Sequence, residues 1–241
     1  MFYLLNYTRK PVSSILYDAR LAYSMHLAIS DDGEKFQALN HNSGVLFVKA
    51  TENEDGSLNP KSIKNPFIFQ LKEEGYGVVA VRTKADGEDD EESRGCVVLF
   101  FTKDFLEYEE LGLFHLEEQY VEEVICEFEE ECYIVRWKNR DGICSVGQTS
   151  DIRKRDLDSV VMMTEETLQK SVILPKNAEI EGAVFHNMIE IPENLAERLE
   201  KKLLTPMNTG MSFPKQVIAS SRSELNQFLA MVSYSLSLIH I

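Results

Sequence analysis

The sequence predicts an all-β chain made of repeated antiparallel sheet units with a small α/β appendage or inserted domain; the repeats suggest a β-propeller over a closed sandwich, a choice that the pattern alone does not settle. Three observations carry this reading. The stretch Tyr23 to Phe47 runs an alternating strand (Ser24, His26, Ala28 and Ser30 against Met25, Leu27 and Ile29) into Asp31-Asp32-Gly33, and Phe36 and Leu39 then return to the apolar side. The same order recurs. Val97 to Phe101 leads into Thr102-Lys103-Asp104 with Phe105 and Tyr108, and Ile143 to Gln148 leads into Thr149-Ser150-Asp151 with Leu157. Finally, short strands separated by polar turns follow one another until about Asp156, where the texture changes.

Taken in order, Phe2 to Thr8 is a strand by its aromatic and β-branched content. Pro11 to Asp18 is a loop with room for a second short strand, and Glu52 to Pro60 is a turn-rich exposed connection. A strand begins at Asn65-Pro66-Phe67, turns at Glu73-Glu74-Gly75 and returns over Tyr76 to Arg82. Ala85 to Arg94, a charge run too polar to pack, reads as a long hairpin loop before Gly95 to Phe101, and Tyr108 to Leu113 supplies a fourth strand. Val121 to Phe128, Cys132 to Trp137 and Ile143 to Gln148 repeat the pattern around Glu129-Glu130-Glu131 and Asn139-Arg140-Asp141-Gly142. Leu174 to Ile191 reads as strands and turns. From Glu193 to Leu204 the leucines 195, 199 and 203 take helical spacing, with acids leading and lysines trailing as the helix dipole favours. Ser220 to Leu229 could form another short helix, and the final SLSLIHI resembles translated adapter sequence, so His240 carries no functional weight. The expected organisation is blades over 1–158, a small α/β domain over 159–212 and a truncated tail over 213–241.

A chain of 241 residues with 44% hydrophobic and 27% charged residues can bury a substantial core. Its net charge of -15 argues against a nucleic-acid partner, because phosphate binding rests on Lys and Arg, while a neutral ligand such as a carbohydrate is compatible. Cys96, Cys126, Cys132 and Cys144 form no close CxxC pair, so buried free thiols are expected and neither a metal nor a cofactor is; Cys126 and Cys132 flank a hairpin and could face each other across it. Met1 to Tyr7 lacks the charge order of a signal peptide, and no run reaches membrane-spanning length, so the cytoplasm is the expected compartment and no membrane partner is expected.

With the units laid out, the chain resembles the family 43 glycoside hydrolases, five-bladed β-propeller arabinofuranosidase- and xylosidase-like proteins. The resemblance rests on Ser24 to Gly33, Leu39-Asn40 to Leu46-Phe47, Ile63 to Phe69, Phe101 to Tyr108 and Tyr133 to Trp137, and covers about Phe2 to Asp151; Leu174 to Asn208 looks like a small domain inserted between blades of some such proteins. It implies a partial propeller of about three blades and hydrolysis of arabinose- or xylose-containing glycans, plant-type oligosaccharide or polysaccharide fragments, with inversion. Such chemistry needs an acid and a base about 6.5–9.5 Å apart with a water between them. Carried over residue by residue, the general acid is Glu123, although Glu122 stands where the family usually has Pro. Asn65-Pro66 replaces the Asp-Pro that supplies the third carboxylate, and no Asp-Pro exists to mark the base, for which Asp18 is the positional candidate. His26, on the polar side of its strand, reads as a satisfied structural histidine or, as the alternative, as a residue facing the axis and touching sugar hydroxyls. The alternatives are a catalytically degenerate carbohydrate-binding propeller and a structural or protein-interaction propeller. Three blades cannot close a five-bladed ring, so the fragment is expected to be unstable or inactive even if its parent is an enzyme. Oligomeric state is left open.

Overall fold

A computed structural model describes residues 1–9, 23–164 and 172–204. The strands are β1 (Phe2–Arg9), β2 (His26–Ser30), β3 (Gln37–Ala38), β4 (Thr51–Glu52), β5 (Leu58–Asn59), β6 (Lys61–Gln70) and β7 (Tyr76–Lys84). They continue with β8 (Cys96–Thr102), β9 (Glu109–His115), β10 (Val121–Glu129), β11 (Cys132–Asn139), β12 (Cys144–Thr149), β13 (Ser159–Met163) and β14 (Ala183–Ile191), after which α1 spans Glu193–Leu203. They form three four-stranded antiparallel sheets, ordered β14-β1-β2-β3, β6-β7-β8-β9 and β10-β11-β12-β13, and one small ladder, β4-β5.

The second sheet is the middle layer. Strand side chains alternate between faces, and here both faces are apolar. Ile68, Val78, Val98 and Phe100 join Leu4, Leu27 and Ile29 of the first sheet in one buried cluster. Phe67, Phe69, Val79, Leu99 and Phe101 join Val124, Val135 and Trp137 of the third sheet in another. Continuous runs such as Val97 to Phe101 therefore reflect burial on both sides. Each fully buried side chain of this kind contributes about 1.5–3 kcal/mol. Among the described residues neither cluster spans the first and third sheets, so each of those two sheets packs separately against the middle one.

The recurring turn has a specific construction. It sits at the end of the third strand of each sheet, where Ser30, Thr102 and Thr149 end β2, β8 and β12. Their hydroxyls accept the amides of Asp32, Asp104 and Asp151, and those aspartates in turn accept amides further along, from Glu34 and Lys35, from Leu106 and Glu107, and from Arg153. The equivalent of Asp104 and Asp151 is thus Asp32 rather than Asp31, because the hydroxyl two residues earlier sets the register. The Lys35 and Glu34 amides and the Ser30 hydroxyl hold the Asp32 carboxyl down at about 2.

This equivalence shows that the first sheet is a unit whose opening strand arrives late in the chain. β1 occupies the second place, and β14 fills the first by pairing antiparallel along all of β1. The boundary expected at 158/159 falls between hydrogen-bonded strands, since β13 pairs with β12. α1 inserts Leu195, Ala196 and Leu199 into the core shared by the first two sheets. Residues 205–212 and the tail over 213–241 lie outside the described residues.

Other expectations shift for physical reasons. Glu52 to Pro60 contains the β4-β5 ladder. The charge run over Ala85 to Arg94 does pack in part: Asp90 is 2% exposed and accepts from Lys61 Nζ and Arg82 Nε, both at 2.7 Å. Burial alone would raise the Asp90 carboxyl, but the Lys61 bond and the Arg82 charge outweigh it and hold the carboxyl below its ordinary value. Removing one partner from such a buried pair typically costs about 3–5 kcal/mol. All four cysteines are free, and Cys126 pairs with Val135 while Cys132 pairs with Glu129, so the two flank the hairpin without facing each other. Among the described residues no helix is long and apolar enough to cross a membrane.

Candidate functional site

The first strands of the three sheets, β14, β6 and β10, border a cleft of about 470 Å³. Each of these strands is bulged where it meets the cleft. On β6 the register shifts between Lys64 and Phe67, so Asn65 and Pro66 are both displaced. On β10 it shifts between Val121 and Glu123, leaving Glu122 as the extra residue. On β14, Asn187 pairs with Asn6 and Phe185 with Tyr7, leaving His186 as the extra residue. A bulge re-aims side chains out of the regular alternation, which is how three strand edges turn polar groups toward one space.

Local chemistry explains each bulge. Pro66 has no amide hydrogen to give a ladder, which confines proline in sheets to edges and bulges. Asn65 adopts φ +47°, the left-handed region that Asn tolerates better than most residues. Its Nδ2 donates to the Glu122 carbonyl at 2.7 Å, joining the bulges of β6 and β10. On the other side Asn187 clasps Ile68 of β6 at both backbone groups, accepting from its amide at 3.0 Å and donating to its carbonyl at 2.8 Å. Asn6 donates to Asn187 Oδ1 and to the Pro66 carbonyl. An asparagine network therefore ties the three first strands together around the cleft.

The cleft walls are mostly apolar, with Phe67, Val124, Ile125, Val172, Leu174, Val184 and Phe185 around Asn65, Glu123 and His186. Glu123 is the carboxylate lining it among the described residues, and its side chain is exposed. Glu122 points elsewhere, toward Arg140 Nε at 3.8 Å. His186 is half-buried and shares a 2.8 Å hydrogen bond between Nε2 and Thr8 Oγ1. Burial pushes its imidazole down to about 4, so the ring is neutral near pH 7.

Two residues singled out from the sequence, Glu123 and Asn65, are thus brought together. Asn65 is more than a charge-free stand-in, because a carboxylate at this position could not donate to the Glu122 carbonyl. His26 is not part of the cleft. It is 0% exposed, shares a 3.1 Å hydrogen bond with Ser24 and lies 5.2 Å from the Tyr7 ring, because the first sheet is covered on both faces and β2 has no solvent side. Asp18 lies outside the described residues. His186 was not marked by the sequence, where it sits inside an ordinary strand run, AVFHNMIEI. Trp137 and Tyr133 are core aromatics, at 1% and 6% exposure. Among the described residues no group of three or more His, Cys, Asp or Glu side chains is arranged to hold a metal ion.

No family model matches the chain, and no curated protein matches it. Among solved structures it is similar to a Bombyx mori GH32 beta-fructofuranosidase mutant in complex with sucrose. Identity is 18% and the TM-score 0.43, over 82% of this chain and 43% of that one. The chain spans less than half the length of that enzyme. The likeness is too slight to bear on chemistry.

Proposed function

We propose that this chain is part of a carbohydrate-recognising protein whose first-strand cleft binds a neutral, arabinose- or xylose-containing glycan. The observation that supports it best is the convergence of three bulged strands on one cleft that pairs apolar walls with a few uncharged or single-charge polar groups. Half-buried Phe185, beside the apolar cleft walls, offers the surface that a sugar ring face requires, and Asn65, His186 and Glu123 offer hydrogen bonds for hydroxyls. A chain of net charge -15 disfavours an anionic ligand. The family resemblance noted in the sequence points to the same ligand class.

Hydrolysis is the second reading, favoured by Glu123 in the cleft. There Glu123 would protonate the leaving glycosidic oxygen while a base, for which Asp18 is the candidate, takes a proton from the attacking water. With one carboxylate lining the cleft among the described residues, binding needs fewer assumptions than turnover.

Calorimetric titration with arabino- and xylo-oligosaccharides, run beside assays on aryl arabinosides and xylosides, separates the two. Binding without turnover, weakened in Glu123→Gln, is the expected result. Turnover abolished in Glu123→Gln would establish the hydrolase instead, and neither binding nor turnover in the unaltered protein would overturn both readings.

A further inference from the structure

We propose that His186 is a ligand-reading residue whose Nδ1 hydrogen-bonds a glycan hydroxyl in the cleft, with the ring set in place by Thr8 through Nε2; this rests on the carbohydrate reading above. His186 is the extra residue of the β14 bulge, so it leaves the regular alternation between Phe185 and Asn187 and lines the cleft. Its Nε2 is committed to Thr8 Oγ1 at 2.8 Å. Among the described residues its Nδ1 has no hydrogen-bond partner and is not a sealed buried atom, which leaves it available to a ligand. The other polar side chains at the cleft are Asn65 from β6, through an Oδ1 that its clasp to Glu122 leaves unused, and Glu123 from β10, the one other titratable group lining the space among the described residues.

The chemistry selects a hydroxyl. A neutral imidazole bears one N–H and one lone pair, and the Thr8 hydroxyl can either donate to Nε2 or accept from it. In the first case Nδ1 offers a proton to the cleft, in the second a lone pair. A sugar hydroxyl satisfies both, whereas a carboxylate or ammonium ligand satisfies only one. Burial keeps the ring uncharged near neutrality, so the contact carries no charge that would draw an anion.

Two substitutions separate the ring nitrogens. The side-chain amide of His186→Asn overlays Nδ1 and keeps the ligand contact, whereas that of His186→Gln reaches toward Thr8 and leaves the ligand side empty. With xylotriose and arabinotriose as probes, His186→Gln is expected to weaken binding about tenfold and His186→Asn by less than about threefold. Long-range 1H–15N spectra of the unaltered protein supply a reading independent of any variant's folding: saturating glycan is expected to move the Nδ1 resonance and leave Nε2 in place. Binding that survives His186→Gln at full strength, or an Nδ1 resonance indifferent to bound glycan, would overturn the role of His186 while leaving the glycan site standing. No binding of either trisaccharide to the unaltered protein would remove the site itself and the inference with it.

Discussion

At the scale of single residues, the cleft depends on side chains whose surroundings contradict their usual preferences. His186 is the clearest case. Its imidazole titrates near 4 in the folded chain against an ordinary 6.5, because burial disfavours the charged ring. Between these two values the unfolded chain binds the extra proton and the folded chain does not, so folding is favoured by rising pH. The contribution is complete above about pH 6.5 and is lost as pH falls toward 4, to a total of about 3 kcal/mol. Replacing His186 by Asn should flatten the fall in unfolding free energy over that window relative to the unaltered protein, as measured by urea denaturation at stepped pH. Equal slopes for the two proteins would mean that the ring is not held neutral. Asn65 carries a second lesson at this scale, since φ +47° and a donated hydrogen bond both suit asparagine and neither suits aspartate equally.

Among elements, the notable joint lies between β14 and β6. These strands belong to different sheets and share no ladder. Asn187 supplies the missing pairing by giving and accepting one hydrogen bond with the Ile68 backbone, much as a strand partner would. Asn187 is 3% exposed, and truncating it would strand the Ile68 amide and carbonyl without water. Unsatisfied buried groups cost about 1–3 kcal/mol each. Asn187→Leu is accordingly expected to lower unfolding free energy by about 2–4 kcal/mol, checked by denaturant melts. A loss below about 0.5 kcal/mol, the level of an ordinary surface change, would show that the clasp does not bind the sheets together.

For the whole molecule, the pairing of β1 with β14 joins segments near opposite ends of the described chain. Contacts this distant in sequence are slow to form, and they make the first sheet complete only when the chain has come round. The same pairing ties α1 into the central core, because Leu195 and Leu199 follow directly from β14. Native-state hydrogen exchange should therefore show Leu4 of β1 and Ile189 of β14 opening with the same free energy as Val78 in the middle sheet, while the two-residue β4-β5 ladder opens far more easily. Early exchange at Ile189 with Val78 still protected would mean that β14 is a detachable strap rather than part of the fold.

What the sequence determined alone was local. Alternation, polar turns and aromatic returns were enough to read the second sheet strand by strand and the first three strands of the third, because these are meanders of neighbours whose pairing needs no distant partner; β13, beyond the change of texture near Asp156, was not read. The dipole-matched ends and leucine spacing marked α1 for the same reason. Asn65 and Glu123 entered through the family resemblance, and both line the cleft. Tertiary structure decided the rest. Only folding could show that β14 completes the first sheet, that His26 lies sealed between covered faces and that Asp90 is buried between two cations. His186 was hidden for the same reason: a bulge is set by the register of pairing with a strand nearly the whole described chain away, and no pattern within AVFHNMIEI records which residue that register leaves over.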